Sequence, residues 1–165
     1  MIRRLGLDFG NVIGSQDLRH HIPCLPIPGA FWGIRQLVKS EMFEEIYIIS
    51  YCPRQLQSFA RAWFLTTFFW WITGMKPANL IFCEHYWQKG EICRELGITD
   101  FVDDRPIVLT YLVTVPAVYA FHPAPETLYQ CCRPLAAVTN QWSSLVPLLL
   151  RDQKAANEQS YTGAA

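Results

Sequence analysis

Apolar positions along the chain alternate between two periods. Arg3 to Phe9 reads as a short strand ending at Asp8. From Phe31 to Ser40, Ile34, Leu37 and Val38 recur at helical spacing. Glu45 to Tyr51 holds the unbroken run Ile46-Tyr47-Ile48-Ile49, which suits a strand covered on both faces. Pro53 can open a helix whose apolar face is Leu56, Phe59, Ala60, Trp63 and Phe64. The alternation then repeats. Asn79 to Cys83 predicts a strand. Lys89 to Leu96 predicts a helix with Ile92, Cys93 and Leu96 inward, stopped by Gly97. Asp100 to Asp103 predicts a strand. Pro106 starts a helix buried through Ile107, Val108, Tyr111 and Leu112. Ala117 to Phe121 and Leu135 to Thr139 predict two more strands, and Leu145 to Arg151 a closing helix. Strands alternating with helices imply βαβ units. The expected fold is α/β, a three-layer Rossmann-like arrangement with a parallel sheet of five to six strands and helices on both faces.

Composition narrows the classes. The 165 residues are 51% hydrophobic and 17% charged, which excludes global disorder. One domain over residues 1–151 is expected, with 152–165 as a mobile tail lacking apolar periodicity. Lys plus Arg and Asp plus Glu both total 14, and this balance argues against a general nucleic-acid binder. Six cysteines form no CxxC pair and read as reduced thiols, hence a cytoplasmic setting. Met1-Ile2-Arg3-Arg4 opens like a leader, but Asp8 interrupts it before an apolar segment develops. Ala62 to Met75 is the most apolar run and reads as a buried helix, short of the roughly 20 residues a membrane span needs. No membrane partner is expected.

In parallel α/β sheets ligands bind beyond the carboxyl ends of the strands. Asp8, Ser50 and the pair Asp103-Asp104 stand at such ends, and Lys89 opens the helix before the pair. Mg²⁺ takes oxygen ligands, often a few carboxylates plus a substrate phosphate. Asp8, Asp103 and Asp104 supply that cradle. A carboxylate beside the ion can also serve as nucleophile. A transferring phosphoryl group needs donors around its equatorial oxygens, which Lys89 and Ser50 provide. Two adjacent acids repel unless a cation sits between them. The chemistry indicated is magnesium-dependent phosphoryl transfer.

The order Asp8, Ser50, Lys89, Asp103-Asp104 resembles the haloacid dehalogenase (HAD) superfamily of phosphohydrolases. The stretch from Lys89 to Ile98 leading into Val102-Asp103-Asp104-Arg105-Pro106 carries the most specific part, and looks like the capless proteins and the deoxynucleotidase-like branch. The resemblance implies that Asp8 is the nucleophile, that Ser50 and Lys89 hold the phosphoryl group, and that Asp8, the Gly10 carbonyl, Asp103 and Asp104 hold Mg²⁺. Asn11, Arg54 and Arg105 are the expected substrate contacts, with His85 a weaker one. The substrate is a phosphate monoester of a small molecule or nucleotide. The usual cap insertion points have no room for a cap domain. The loop from His20 to Pro28 is the one candidate lid, and a partner subunit in a homo-oligomer is the other cover.

One position departs from the family. Most HAD phosphatases carry a second Asp two residues after the nucleophile, as general acid and base; here it is Gly10. Protonation of the leaving group then needs another donor, for which His20 and His21 are candidates, or a leaving group that needs little help. A catalytically weak or inactive phosphate- or metal-binding module is the alternative reading. A receiver-like phospho-acceptor fits less well, because its acidic pair comes first and its lysine last. Cys83 and His85 lack a second pair at zinc spacing. The run Phe68-Phe69-Trp70-Trp71 reads as core or subunit interface rather than a base-stacking platform. No GxxxxGK loop is present.

Overall fold

The computed structural model describes residues 2–15 and 24–151. Six strands form one sheet: β1 (Arg4–Leu7), β2 (Glu45–Tyr51), β3 (Leu80–Cys83), β4 (Asp100–Asp103), β5 (Ala117–Phe121) and β6 (Ala137–Thr139). Their order is β3-β2-β1-β4-β5-β6, and every pair is parallel. The helices are α1 (Ala30–Lys39), α2 (Arg54–Thr66), α3 (Phe69–Thr73), α4 (Gln88–Leu96), α5 (Pro106–Thr110) and α6 (Trp142–Leu149). This is the doubly wound order, whose direction reverses between β1 and β4. Adjacent connections leave that point to opposite sides and open a crevice above it.

The two-residue period of the strands separates two cores. Leu5, Leu7, Ile46, Ile48 and Val102 face a cluster with Ile34, Leu37, Phe64, Phe69, Trp142 and Leu145. Ile49, Phe101, Val118 and Ala120 face a smaller cluster with Cys93, Leu109 and Leu112. Helices α1, α2, α3 and α6 therefore cover one face, and α4 and α5 the other. Gly6 is required where β1 crosses Phe101, because a Cβ there would run into the aromatic ring.

The Ala62 to Met75 run is not one buried helix. It ends α2, breaks, and restarts as α3, leaving Leu65, Phe68 and Trp71 exposed. The hydroxyls of Thr66 and Thr67 both donate to the Trp63 carbonyl, at 3.3 and 2.8 Å. Such back-bonding competes with the helical ladder, and Phe68 follows with φ of 56°. Phe59 is also exposed, at the edge of the α2 stripe, while Ala60, Trp63 and Phe64 fill its centre. In α5 the buried side chains are Pro106, Val108 and Leu109, and Ile107 and Tyr111 face outward. That helix has a single turn and a half, too short to hold one face inward over the whole predicted set. Gly97 ends α4 in the left-handed conformation, as expected. Residues 152–165, with His20 and His21 of the candidate lid, lie outside the described residues. No described helix is long and apolar enough to cross a membrane.

Candidate active site

Strand register brings the acids together. Leu7 pairs with Val102, and the Asp8 N–H donates to the Val102 carbonyl at 2.9 Å. The next position on each chain is an aspartate, Asp8 after β1 and Asp103 at the end of β4. Both lie at the reversal point of the sheet. On the other side, β2 delivers Ser50 and Tyr51 one and two positions beyond that level, to the same edge of the sheet.

Lys89 reaches this point from α4. Its Nζ donates to Asp8 Oδ1 at 2.7 Å and Asp103 Oδ2 at 2.6 Å, with only 1% of the residue exposed. Placing a lysine so deep needs its helix to enter close to the segment that follows α5. Gly90 permits this, because a Cβ there would strike the Tyr111 carbonyl oxygen. Burial works against the ammonium, but Asp103 and Asp8 outweigh it and hold the Lys89 pKa above its ordinary value. The site therefore contains a fixed positive charge between two carboxylates.

The third acid is left less satisfied. Asp104 Oδ2 accepts from Asn11 Nδ2 at 2.9 Å, while Oδ1 is buried and takes no hydrogen bond from a described residue. Asn11 sits with φ of 56°, a conformation that Asn tolerates better than most residues. Asp103 Oδ1 accepts from the Arg105 N–H at 2.9 Å. Burial raises the pKa of both Asp103 and Asp104, and the charge of Asp8 raises each further. Oxygens of Asp8, Asp103 and Asp104 lie within 4.8 Å of one another. Three carboxylates around one ammonium leave an excess of negative charge, and one buried oxygen has no donor. A hard divalent cation fits this donor set.

A cavity of about 60 Å³ opens above these residues, lined by Asp8, Gly10, Ser50, Lys89, Asp103 and Arg105 among others. Asn11 and Asp104 are not in that lining but join the cluster beside it, through their mutual hydrogen bond and the proximity of Asp104 to Asp8 and Asp103; two expected residues stand apart. Arg54 is largely exposed and pairs with Glu84 at 2.9 Å, outside the cavity lining. His85 is also exposed and stacks on Trp87. Six cavity residues were not anticipated as site residues: Phe9, Ser15, Tyr51, Cys52, Tyr86 and Val108. Tyr51 and Tyr86 pack ring to ring at 4.5 Å, and Arg105 lies over the Tyr86 ring. Both tyrosines flank expected residues, Tyr51 directly after Ser50 and Tyr86 one turn before Lys89. That adjacency was the available signal. The six cysteines are free, and burial pushes the Cys83 thiol up to about 11 and Cys93 to about 12. These thiols are core groups, not nucleophiles.

No family model matches the chain, and no curated protein matches it in sequence. Solved structures do match in shape. The cobalt-bound deoxy-D-mannose-octulosonate 8-phosphate phosphatase of Haemophilus influenzae superposes with a TM-score of 0.58 at 11% identity, over 90% of this chain and 87% of that one. The 3-deoxy-D-manno-octulosonate 8-phosphate phosphatase of Yersinia pestis gives 0.53 at 16%, over 90% and 80%. A HAD-family hydrolase from Streptomyces avermitilis gives 0.53 at 18%, over 84% and 75%. The chain has the Rossmann-like α/β fold of the haloacid dehalogenase phosphatases.

Proposed function

We propose that this chain is a Mg²⁺-dependent phosphatase of phosphate monoesters that works through a phosphorylated Asp8. The observation that carries the reading is Lys89 Nζ held between Asp8 and Asp103, near an Asp104 oxygen that has no donor among the described residues. Asp8, Asp103, Asp104 and the Gly10 carbonyl are the proposed ligands of the ion. When bound, Mg²⁺ supplies charge neutralisation for the phosphate and draws it toward the carboxylates.

The chain's own groups do the rest. Lys89 fixes Asp8 by a hydrogen bond and presents positive charge to the phosphoryl oxygens. Ser50 donates to the same group from the end of β2. One Asp8 oxygen attacks phosphorus, the bond to the leaving oxygen breaks, and water later releases phosphate from Asp8. Arg105 and Asn11 stand at the rim as substrate contacts. The exposed Arg54 is a contact only for a substrate that extends over the edge of the cavity. The substrate class is a phosphorylated small molecule or a nucleotide, and the setting the reduced thiols favour is the cytoplasm. A second copy of the chain remains the proposed cover for the open site.

Gly10 favours a second reading, a binding module with little turnover. A screen of phosphate esters with Mg²⁺ and with excess EDTA separates the two. The phosphatase reading expects metal-dependent phosphate release and a beryllium fluoride adduct on Asp8. Mg²⁺ binding without turnover of any ester would favour the module. Full activity in EDTA would contradict the mechanism.

A further inference from the structure

We propose that the Tyr86 hydroxyl is the proton donor to the leaving group, in the role that Gly10 leaves unfilled. The inference rests on the phosphatase reading and deepens it. The cavity above Asp8 is where the leaving oxygen must depart, and its wall includes Tyr86. Position 10 offers only a backbone there. Lys89 lines it too, but its Nζ is committed to Asp8 and Asp103, and two tyrosines, two serines and an arginine supply the other side-chain hydroxyl and N–H donors of that lining.

Tyr86 is distinguished by how its hydroxyl is held. An Arg105 Nη donates to it. A guanidinium has no acceptor, so Tyr86 Oη accepts in this pair and keeps its own proton for another partner. Arg105 is tied to the acidic loop through its N–H on Asp103 Oδ1. Tyr86 is tied to the lysine helix, since its carbonyl accepts the Lys89 N–H at 3.1 Å. The Tyr51 ring packs against its face. The phenol is thus fixed between the two segments that build the phosphate site. Burial raises its pKa above the ordinary phenol value, while the neighbouring charges of Arg105 and Lys89 pull it down.

The step balances as follows. Asp8 forms its bond to phosphorus as the bond from phosphorus to the leaving oxygen breaks. The Tyr86 proton moves to that oxygen, and the substrate departs as an alcohol. The phenolate left behind faces the Arg105 guanidinium. In the second step water attacks phosphorus, the bond to Asp8 breaks, and a proton of that water returns to Tyr86. A phenol is a much stronger acid than an aliphatic alcohol, so the first transfer runs downhill. A serine hydroxyl offers no such advantage.

The test is turnover against leaving group for wild type, Tyr86→Phe, Tyr51→Phe and Gly10→Asp/Tyr86→Phe, using an alkyl phosphate and p-nitrophenyl phosphate with Mg²⁺. Circular dichroism and melting curves establish that each variant is folded. General acid help is typically worth about 10²–10⁴ in rate. Tyr86→Phe should therefore lose about 10²-fold on the alkyl ester and at least about tenfold less on the nitrophenyl ester. Gly10 is not among the glycines at positive φ, so its backbone conformation is one an aspartate can adopt, and the double variant should recover alkyl ester turnover. Equal losses on both esters would reduce Tyr86 to a positioning role and overturn the proposal, with the phosphatase reading intact. The selective loss appearing in Tyr51→Phe instead would overturn it in the same way. Wild type inactive on every ester would remove the proposal together with the reading beneath it.

Discussion

Strand β4 begins and ends on a buried aspartate, and the two could hardly be treated more differently. Asp100, at its start, is saturated. Its oxygens accept from Arg3 Nη2 at 2.7 Å and Nε at 3.3 Å, Thr99 Oγ1 at 2.7 Å and Tyr119 Oη at 3.3 Å. One carboxylate there faces one guanidinium. Asp103, at the other end, shares a single ammonium with Asp8 and borders Asp104, whose Oδ1 has no described donor. The same residue type, on the same strand and equally buried, closes the fold at one end and leaves it electrostatically open at the other. A structural carboxylate is one whose hydrogen bonds are complete. A functional cluster carries a deficit that an incoming ligand can fill.

The contrast breaks most completely through Asp8. Asp8→Asn keeps the shape of the side chain and removes the nucleophile, so turnover should fall to background while the circular dichroism spectrum stays native. Lys89→Met comes next. It leaves two buried carboxylates facing each other without their cation, a loss of about 3–5 kcal/mol that urea denaturation would read. Asp100→Asn probes the opposite end. It should cost about 1.5–3 kcal/mol through its charged hydrogen bonds, yet leave turnover per folded molecule unchanged. Gly90→Ala presses a methyl group on the Tyr111 carbonyl and should cost about 1–3 kcal/mol. Because α4 must shift, Lys89 moves too, and KM for phosphate esters should rise. Asp104→Asn should have the smallest effect on stability. It removes one charge from a crowded cluster, where burial and the charge of Asp8 disfavour the ionised form, and should raise the metal-free melting temperature slightly.

Much of this contrast was legible beforehand. The unbroken run Ile46-Tyr47-Ile48-Ile49 marks a strand covered on both faces, and Ile48 and Ile49 do enter opposite cores. Asp8, Ser50 and the Asp103-Asp104 pair stand out because polar groups at strand ends have no reason of packing to be there, and Lys89 stands out by its place at the start of the helix before the pair. Asp100 was legible only as a strand start. Its partners are Arg3, just before β1, and Tyr119 on β5, and register alone brings them near. Tyr86 was hidden for a related reason. An aromatic residue two positions before a helix reads as core, and the role proposed for it depends on Arg105, which arrives from another loop. The break at Phe68 was missed because threonines back-bonding to Trp63 leave no mark in hydrophobic periodicity.

Calorimetric titration with Mg²⁺ in the absence of substrate tests the central claim most directly, because it asks whether the incomplete end of β4 is a cation site. Wild type and Asp100→Asn should bind one ion with the same affinity, and Asp104→Asn should bind it about tenfold or more weakly, a cost of about 1.4 kcal/mol. No binding to wild type, or equal binding to Asp104→Asn, would contradict the account.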